Sequence, residues 1–117
     1  MAVVAFALPI LPGQDDLVKS MAESVSDSGG LREEYEESRK RLGIREEKVW
    51  VQRTPIGQSI IVYWETEDPQ RTLREIANSQ DKVDEEFRQV LENAAPALDL
   101  SKESPLSNEL LFAWQQQ

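Results

Sequence analysis

Residues Glu34 to Glu65, EYEESRKRLGIREEKVWVQRTPIGQSIIVYWE, constrain this chain more than any other stretch, because a helix, a stop, a strand, a tight turn and a second strand follow one another without a gap. In the helical part Leu31, Tyr35, Ser38 and Leu42 form a narrow inward stripe on a heavily charged segment. Glu36 to Lys40 and Glu37 to Arg41 stand in the favourable i,i+4 order, and Gly43 suits the residue just past a helix end. Val49 to Thr54 and Ser59 to Glu65 then read as strands joined by Thr54-Pro55-Ile56-Gly57, a proline and glycine pattern that fits a type I turn with a glycine bulge. That turn sets Thr54 opposite Gln58 and Trp50 opposite Val62. One face of the hairpin then carries Trp50, Gln52, Ile60, Val62 and Trp64, and the other Val49, Val51, Arg53, Ile61, Tyr63 and Glu65. Neither face is uniformly polar, so both need cover.

The remaining elements fall around this hairpin. Val3 to Leu11 is nearly continuously apolar and rich in β-formers, the pattern of a strand covered on both faces. It has no basic n-region, and Pro9 and Pro12 interrupt it, which argues against a signal peptide; it is also too short to cross a bilayer. Leu17, Val18, Met21 and Val25 recur at helical spacing behind Asp15 and Asp16. Asp68 and Pro69 are a cap and a first helical residue, followed by an inward stripe of Leu73, Ile76 and Ala77 that resumes at Val83, Phe87, Val90, Leu91 and Ala94. Ala95 to Asn108, with Pro96 and Pro105, reads as a loop or short helical turn, and Glu109 to Trp114 as a last short strand. The order β, α, β, β, α, β closes as one α+β domain over residues 1–117: a ferredoxin-like, four-stranded antiparallel sheet with its helices on one face. The uncovered, apolar second face then predicts a homodimer packed sheet to sheet.

Composition excludes more chemistry than it suggests. The chain has neither cysteine nor histidine, which closes thiolate and Ser-His-Asp nucleophiles, Fe–S clusters and His- or Cys-ligated metals. With 22 acidic against 13 basic side chains and a formal charge of -9, it repels nucleic-acid phosphates and anionic membranes. A cytoplasmic protein without metal or cofactor is the expectation. The runs Glu33-Glu34-Glu36-Glu37 and Asp84-Glu85-Glu86 lack calcium-loop spacing and read as solvated helix faces.

The helix and hairpin together carry a likeness. The pattern E-Y-x-E-S-R-x-R-L-G-I followed by V-W-x-Q-x-T-P-x-G, over roughly residues 31 to 67, resembles an uncharacterised bacterial family of about this length within the dimeric α/β-barrel superfamily. The resemblance implies two ferredoxin-like protomers packed sheet to sheet. Relatives in that superfamily range from quinone-forming monooxygenases and polyketide cyclases to stress-response proteins, so the fold does not choose the activity.

Five residues are candidates for a ligand site. Trp50, Gln52 and Trp64, placed on one hairpin face, would offer two indoles and an amide to a flat organic molecule between the sheets, although the same residues serve equally to pack a dimer core. Tyr35 and Arg39 lie one helical turn apart, where they could polarise a phenol or hold a carboxylate, or equally form a packed ring beside a surface ion pair. Arg53 and Glu65 share a face but sit at opposite ends of it. The expectation is therefore a small homodimer that binds an apolar or aromatic molecule or is non-catalytic. The alternatives are a cofactor-independent monooxygenase or cyclase acting on aromatic or polyketide-like substrates, and a structural or protein-interaction module.

Overall fold

A computed structural model describes residues 2–100 and 106–116 of the chain. Its elements are β1 (Ala2–Pro9), α1 (Asp15–Val25), α2 (Arg32–Arg41), β2 (Ile44–Thr54), β3 (Gly57–Thr66), α3 (Pro69–Asn78) and α4 (Lys82–Ala94). The chain is α+β, with four helices on one side of a three-stranded antiparallel sheet in the order β1-β3-β2. This is compatible with a ferredoxin-like arrangement but corrects the expected four-stranded sheet: Glu109–Trp114 is not a strand. Its neighbour Asn108 reaches β1 through its side chain rather than its backbone. The predicted loop Ala95–Asn108 lies partly outside the described residues.

The hairpin is tighter than its turn residues suggest, and this changes which side chains of β2 and β3 share a face. Thr54 pairs with Gly57 rather than Gln58, leaving a two-residue loop, so that Trp50 faces Ile61 and Gln52 faces Ser59. Gly57 has φ +147°, a value that side-chain-bearing residues avoid, while Thr54 Oγ1 accepts from the Ile56 N–H and donates to the Gly57 carbonyl. Because side chains alternate, a slip of one residue exchanges the faces. The helix-covered face carries Glu47, Val49 and Val51 with Ile60, Val62 and Trp64, and the open face carries Lys48, Trp50 and Gln52 with Ile61, Tyr63 and Glu65. The expected grouping of Trp50 and Gln52 with Trp64 is therefore corrected, and Arg53 and Glu65 also part to opposite faces.

A second irregularity acts on β2. Between Ile44, opposite Thr66, and Glu46, opposite Glu65, the register shifts by one at Arg45. This bulge lets Ile44 and Glu47, three residues apart, both point at the helices. Without it one of them would face away.

The core lies between sheet and helices: Val4, Phe6 and Leu8 of β1, with Ile60, Val62 and Trp64 of β3, meet Val18, Leu73, Ile76, Phe87 and Leu91 of the helices. Trp64 stands edge-on to Phe6, with ring centroids 5.6 Å apart, and 6.3 Å from Phe87. Helix ends follow local chemistry. Asp68 caps α3 by accepting from the Arg71 N–H at 3.1 Å, and Gly43 ends α2 at φ +76°, a left-handed conformation open to glycine. The Thr66 and Thr72 hydroxyls, 2.7 Å apart, continue to the Leu42 carbonyl at 3.0 Å and tie β3, α3 and the end of α2 together. The expected Glu36–Lys40 and Glu37–Arg41 pairs give way to others: Glu36 pairs with Arg32, and Arg41 with Asp81 and Asp84 of the α4 turn.

Burial of this kind makes a graded prediction. Ile76→Ala, at a fully buried position, lowers unfolding free energy by about 2–5 kcal/mol, whereas Ile56→Ala, at the 99% exposed hairpin tip, changes it by less than about 0.5 kcal/mol. Urea denaturation of both variants checks the contrast.

Candidate functional site

The chemistry of this chain gathers beneath the helices, where β2, β3, α2 and α4 place charged side chains in the interior. Glu47 stands directly across from Trp64 in the hairpin, and its side chain is only 6% exposed. Its carboxylate accepts from the Trp64 indole N–H at 2.5 Å, from the Tyr35 hydroxyl at 2.6 Å and from Arg39 Nε at 2.8 Å. Arg39, one turn beyond Tyr35 on α2, is itself buried. Its Nη1 donates to Asp84 Oδ1 and Ser38 Oγ, each at 3.0 Å. Its guanidinium carbon lies 4.9 Å from the Tyr35 ring centre and 5.5 Å from that of Phe87, a cation–π contact on two rings. Asp84, fully buried, completes the chain by accepting also from Ser38 Oγ, Ser79 Oγ and Arg41 Nη2. Two carboxylates and two guanidiniums thus neutralise one another, and among the described residues no buried side-chain polar atom lacks a partner.

These contacts set the protonation states. Burial pushes the Glu47 carboxyl up, but the Arg39 charge and the hydrogen bonds from Arg39, Tyr35 and Trp64 outweigh it and hold the group below the usual carboxylate range. Burial and then the neighbouring Glu47 charge push the Tyr35 phenol well above its ordinary value, and burial's pull on Arg39 is overcome by Glu47, so the guanidinium stays charged. A general acid or base works best with a pKa near the ambient pH. Here the ionised carboxylate and the neutral phenol are both stabilised as they stand.

Above this cluster lies a cavity of about 210 Å³. Its walls are apolar: Val18, Met21 and Val25 of α1, Phe87, Val90 and Leu91 of α4, and Val49 and Ile60 of the sheet. Arg32, Tyr35, Arg39 and Glu47 form its polar end, and the exposed lining residues Ala22, Ser26 and Val49 mark its mouth at the β2 edge. The Tyr35 hydroxyl donates to Glu47, and Arg39 lies against the same phenol.

Of the five sequence candidates, the fold brings Tyr35, Arg39 and Trp64 together through Glu47. Trp50 and Gln52 lie on the opposite face of the sheet, exposed. The surface ion pair expected of Arg39 is a buried one, and Asp84, expected on a solvated face, is buried at the centre of the cluster. Glu47 and Asp84 were the residues that sequence reasoning missed. The signal for both was periodic, since Glu47 shares strand parity with Val49 and Val51, and Asp84 is three and seven residues before Phe87 and Leu91. Among the described residues no group of His, Cys, Asp or Glu is placed to hold a metal ion, and no helix is long and apolar enough to cross a membrane. No protein-family model, curated protein or solved structure matches this chain.

The cluster predicts two stability effects. Glu47→Gln leaves Arg39 buried with half its counter-charge and lowers unfolding free energy by about 3–5 kcal/mol, measurable by chemical denaturation at neutral pH. Because the folded-state pKa of Glu47 is depressed, its stabilisation is fully present above the ordinary glutamate value, 4.5, and is lost as pH falls through the lower folded value. The wild-type chain therefore loses stability more steeply than Glu47→Gln as pH is taken below about 4.5, by denaturant titration at each pH.

Proposed function

We propose that this chain is a non-catalytic binding protein that takes a neutral, apolar or aromatic molecule of about ten non-hydrogen atoms into the cavity between sheet and helices. The observation that carries this reading is the pairing of apolar walls with a polar end whose charges are already internally matched. A charged ligand would find no free counter-charge at that end. A neutral molecule buries its apolar body against Val18, Val90 and Leu91 and asks no counter-charge of the polar end. This moves the site from the space between sheets, where Trp50, Gln52 and Trp64 would have formed it, to the helix side of one sheet.

A cofactor-independent enzyme is the weaker reading, since Tyr35 and Glu47 are locked in a mutual hydrogen bond and the cluster favours their existing protonation states. Absence of cysteine and an acidic balance support a cytoplasmic setting.

The test is calorimetry with 2-naphthol and with 2-naphthoate. 2-Naphthol binds with a Kd of about 0.1–1 mM and the carboxylate at least about tenfold more weakly, while Ala22→Trp, which plugs the mouth, abolishes both. Binding of the carboxylate in preference to the naphthol, or undiminished binding by a folded Ala22→Trp variant, would rule the site out.

A homodimer packed through the sheet, the dimeric α/β-barrel arrangement, is the quaternary reading, and a separate observation favours it. Val3, Ala5 and Ala7 of β1 share the open sheet face with Ile61, Tyr63 and Trp50, and Trp50 is 49% exposed. Contiguous apolar surface of this extent marks an interaction site more often than a free surface, and a twisted antiparallel sheet packs naturally on a second one. Sedimentation equilibrium at micromolar concentration gives twice the 13.3 kDa chain mass, and Trp50→Lys returns a monomer; a wild-type mass of one chain would dispose of the dimer.

A further inference from the structure

The segment after the α4 region carries an apolar sequence that its own chain leaves uncovered. Asn108 holds it to the free edge of β1. Its side-chain amide donates to the Ala5 carbonyl at 2.8 Å, and its Oδ1 accepts from the Ala5 N–H at 2.9 Å, which are the two bonds a neighbouring strand would have made. One side chain thus occupies the place of a fourth strand at a single position. Val3 and Ala7, which share the outward parity of Ala5, have no such partner among the described residues. Beyond Asn108, Leu110, Leu111, Phe112 and Trp114 are each about four-fifths exposed, and the segment has no regular structure.

Four large apolar side chains in a row on the surface are costly in a lone chain, and the same chain displays the surface that would cover them. The β1 border of the open sheet face offers Val3, Ala5 and Ala7, and beside it runs the edge of β1, which among the described residues is paired only at Ala5. Apolar arm and apolar receptor on one chain are the two halves of an isologous contact. The area agrees. The four side chains of each arm would bury on the order of 400–600 Å², and two arms with the surfaces they cover on the order of 1,600–2,400 Å², the range of a stable dimer.

We propose that Glu109–Trp114 is an exchanged arm: in a pair of copies packed sheet to sheet, each lays Leu110, Leu111, Phe112 and Trp114 along the β1 border of the other's open sheet face, flanking the sheet-to-sheet contact, with Asn108 as the point where it leaves its own β1 edge. This rests on the sheet-face homodimer of the preceding subsection and adds what completes it.

The experiment compares the full chain with a variant lacking residues 109–117, and adds a photocrosslinker to the full chain as Phe112→p-benzoylphenylalanine. The full chain sediments as a dimer, and the truncated chain, still folded by circular dichroism, has a dimer dissociation constant raised at least about 100-fold. Irradiation of the substituted chain, mixed from ¹⁴N- and ¹⁵N-labelled pools, yields covalent dimers whose mixed-isotope cross-linked peptides contain β1, β2 or β3. A truncated chain that dimerises as tightly as the full one overturns the arm while leaving the sheet-face dimer standing. Cross-links confined to single chains show the arm folding back on its own sheet and overturn it as well. A full chain that is monomeric overturns both. If the truncated chain does not fold, the cross-linking result alone decides.

Discussion

The buried ion pair between Arg39 and Glu47, extended to Asp84, is the constraint on which the rest of this structure depends. Placing a guanidinium and two carboxylates inside a small domain is tolerable only when each hydrogen bond is made and the charges balance. That requirement places four elements at once. β2 must present Glu47 inward, β3 must set the Trp64 indole opposite it, α2 must bring Tyr35, Ser38 and Arg39 to the same level, and α4 must deliver Asp84 with Ser79 just before it. A slip of one residue in any of them would leave a buried charge unmatched. Such networks give a core a single register at some expense of stability. In this chain they also draw Arg39 and Tyr35 out of the solvent, where a highly charged helix would otherwise keep them.

The same constraint decides where a ligand fits. Since the polar groups satisfy each other below the cavity, the space above them is left with largely apolar walls. A mutually neutralised floor discriminates against charged molecules by giving them nothing to pair with, so selectivity comes from what is absent as well as from shape. The cavity, at about 210 Å³, is larger than one that holds a single benzene ring, and its mouth lies at the exposed edge of β2, away from the open sheet face. The proposed ligand site and the proposed dimer contact therefore lie on different sides of the sheet.

The open face has the complementary character. Its apolar residues are too many for a solvent-facing sheet, and among the described residues the edge of β1 carries only the Asn108 amide in place of a strand. Exposed sheet edges are templates for association, and a chain that holds its own apolar segment beside such an edge, uncovered, has the parts for symmetric exchange. Helix-side cavity, open sheet face and arm thus fit one proposal: a core with a pocket on one side and an apolar sheet face on the other.

Much of this was legible in the residues. The elements from β1 to α4, the helix stop at Gly43, the cap at Asp68 and Pro69, and the inward Ser38 and Leu42 follow from periodicity and local backbone preference, which act over a few residues and leave their mark in a few residues; the expected last strand at Glu109–Trp114 did not form. Tertiary structure alone decided which side of the hairpin faces the helices. That choice turned on whether Thr54 closes on Gly57 or Gln58 and on a bulge at Arg45, single-residue differences that invert side-chain direction while leaving composition and spacing untouched. It also decided the roles of Glu47 and Asp84. Each sits at a core position of its own element, but a charge is buried only where a distant partner neutralises it, and the partners of Asp84 on α2 stand 43 to 46 positions away in sequence. Local propensity cannot carry that information, because the energy that fixes it does not exist until the elements have met.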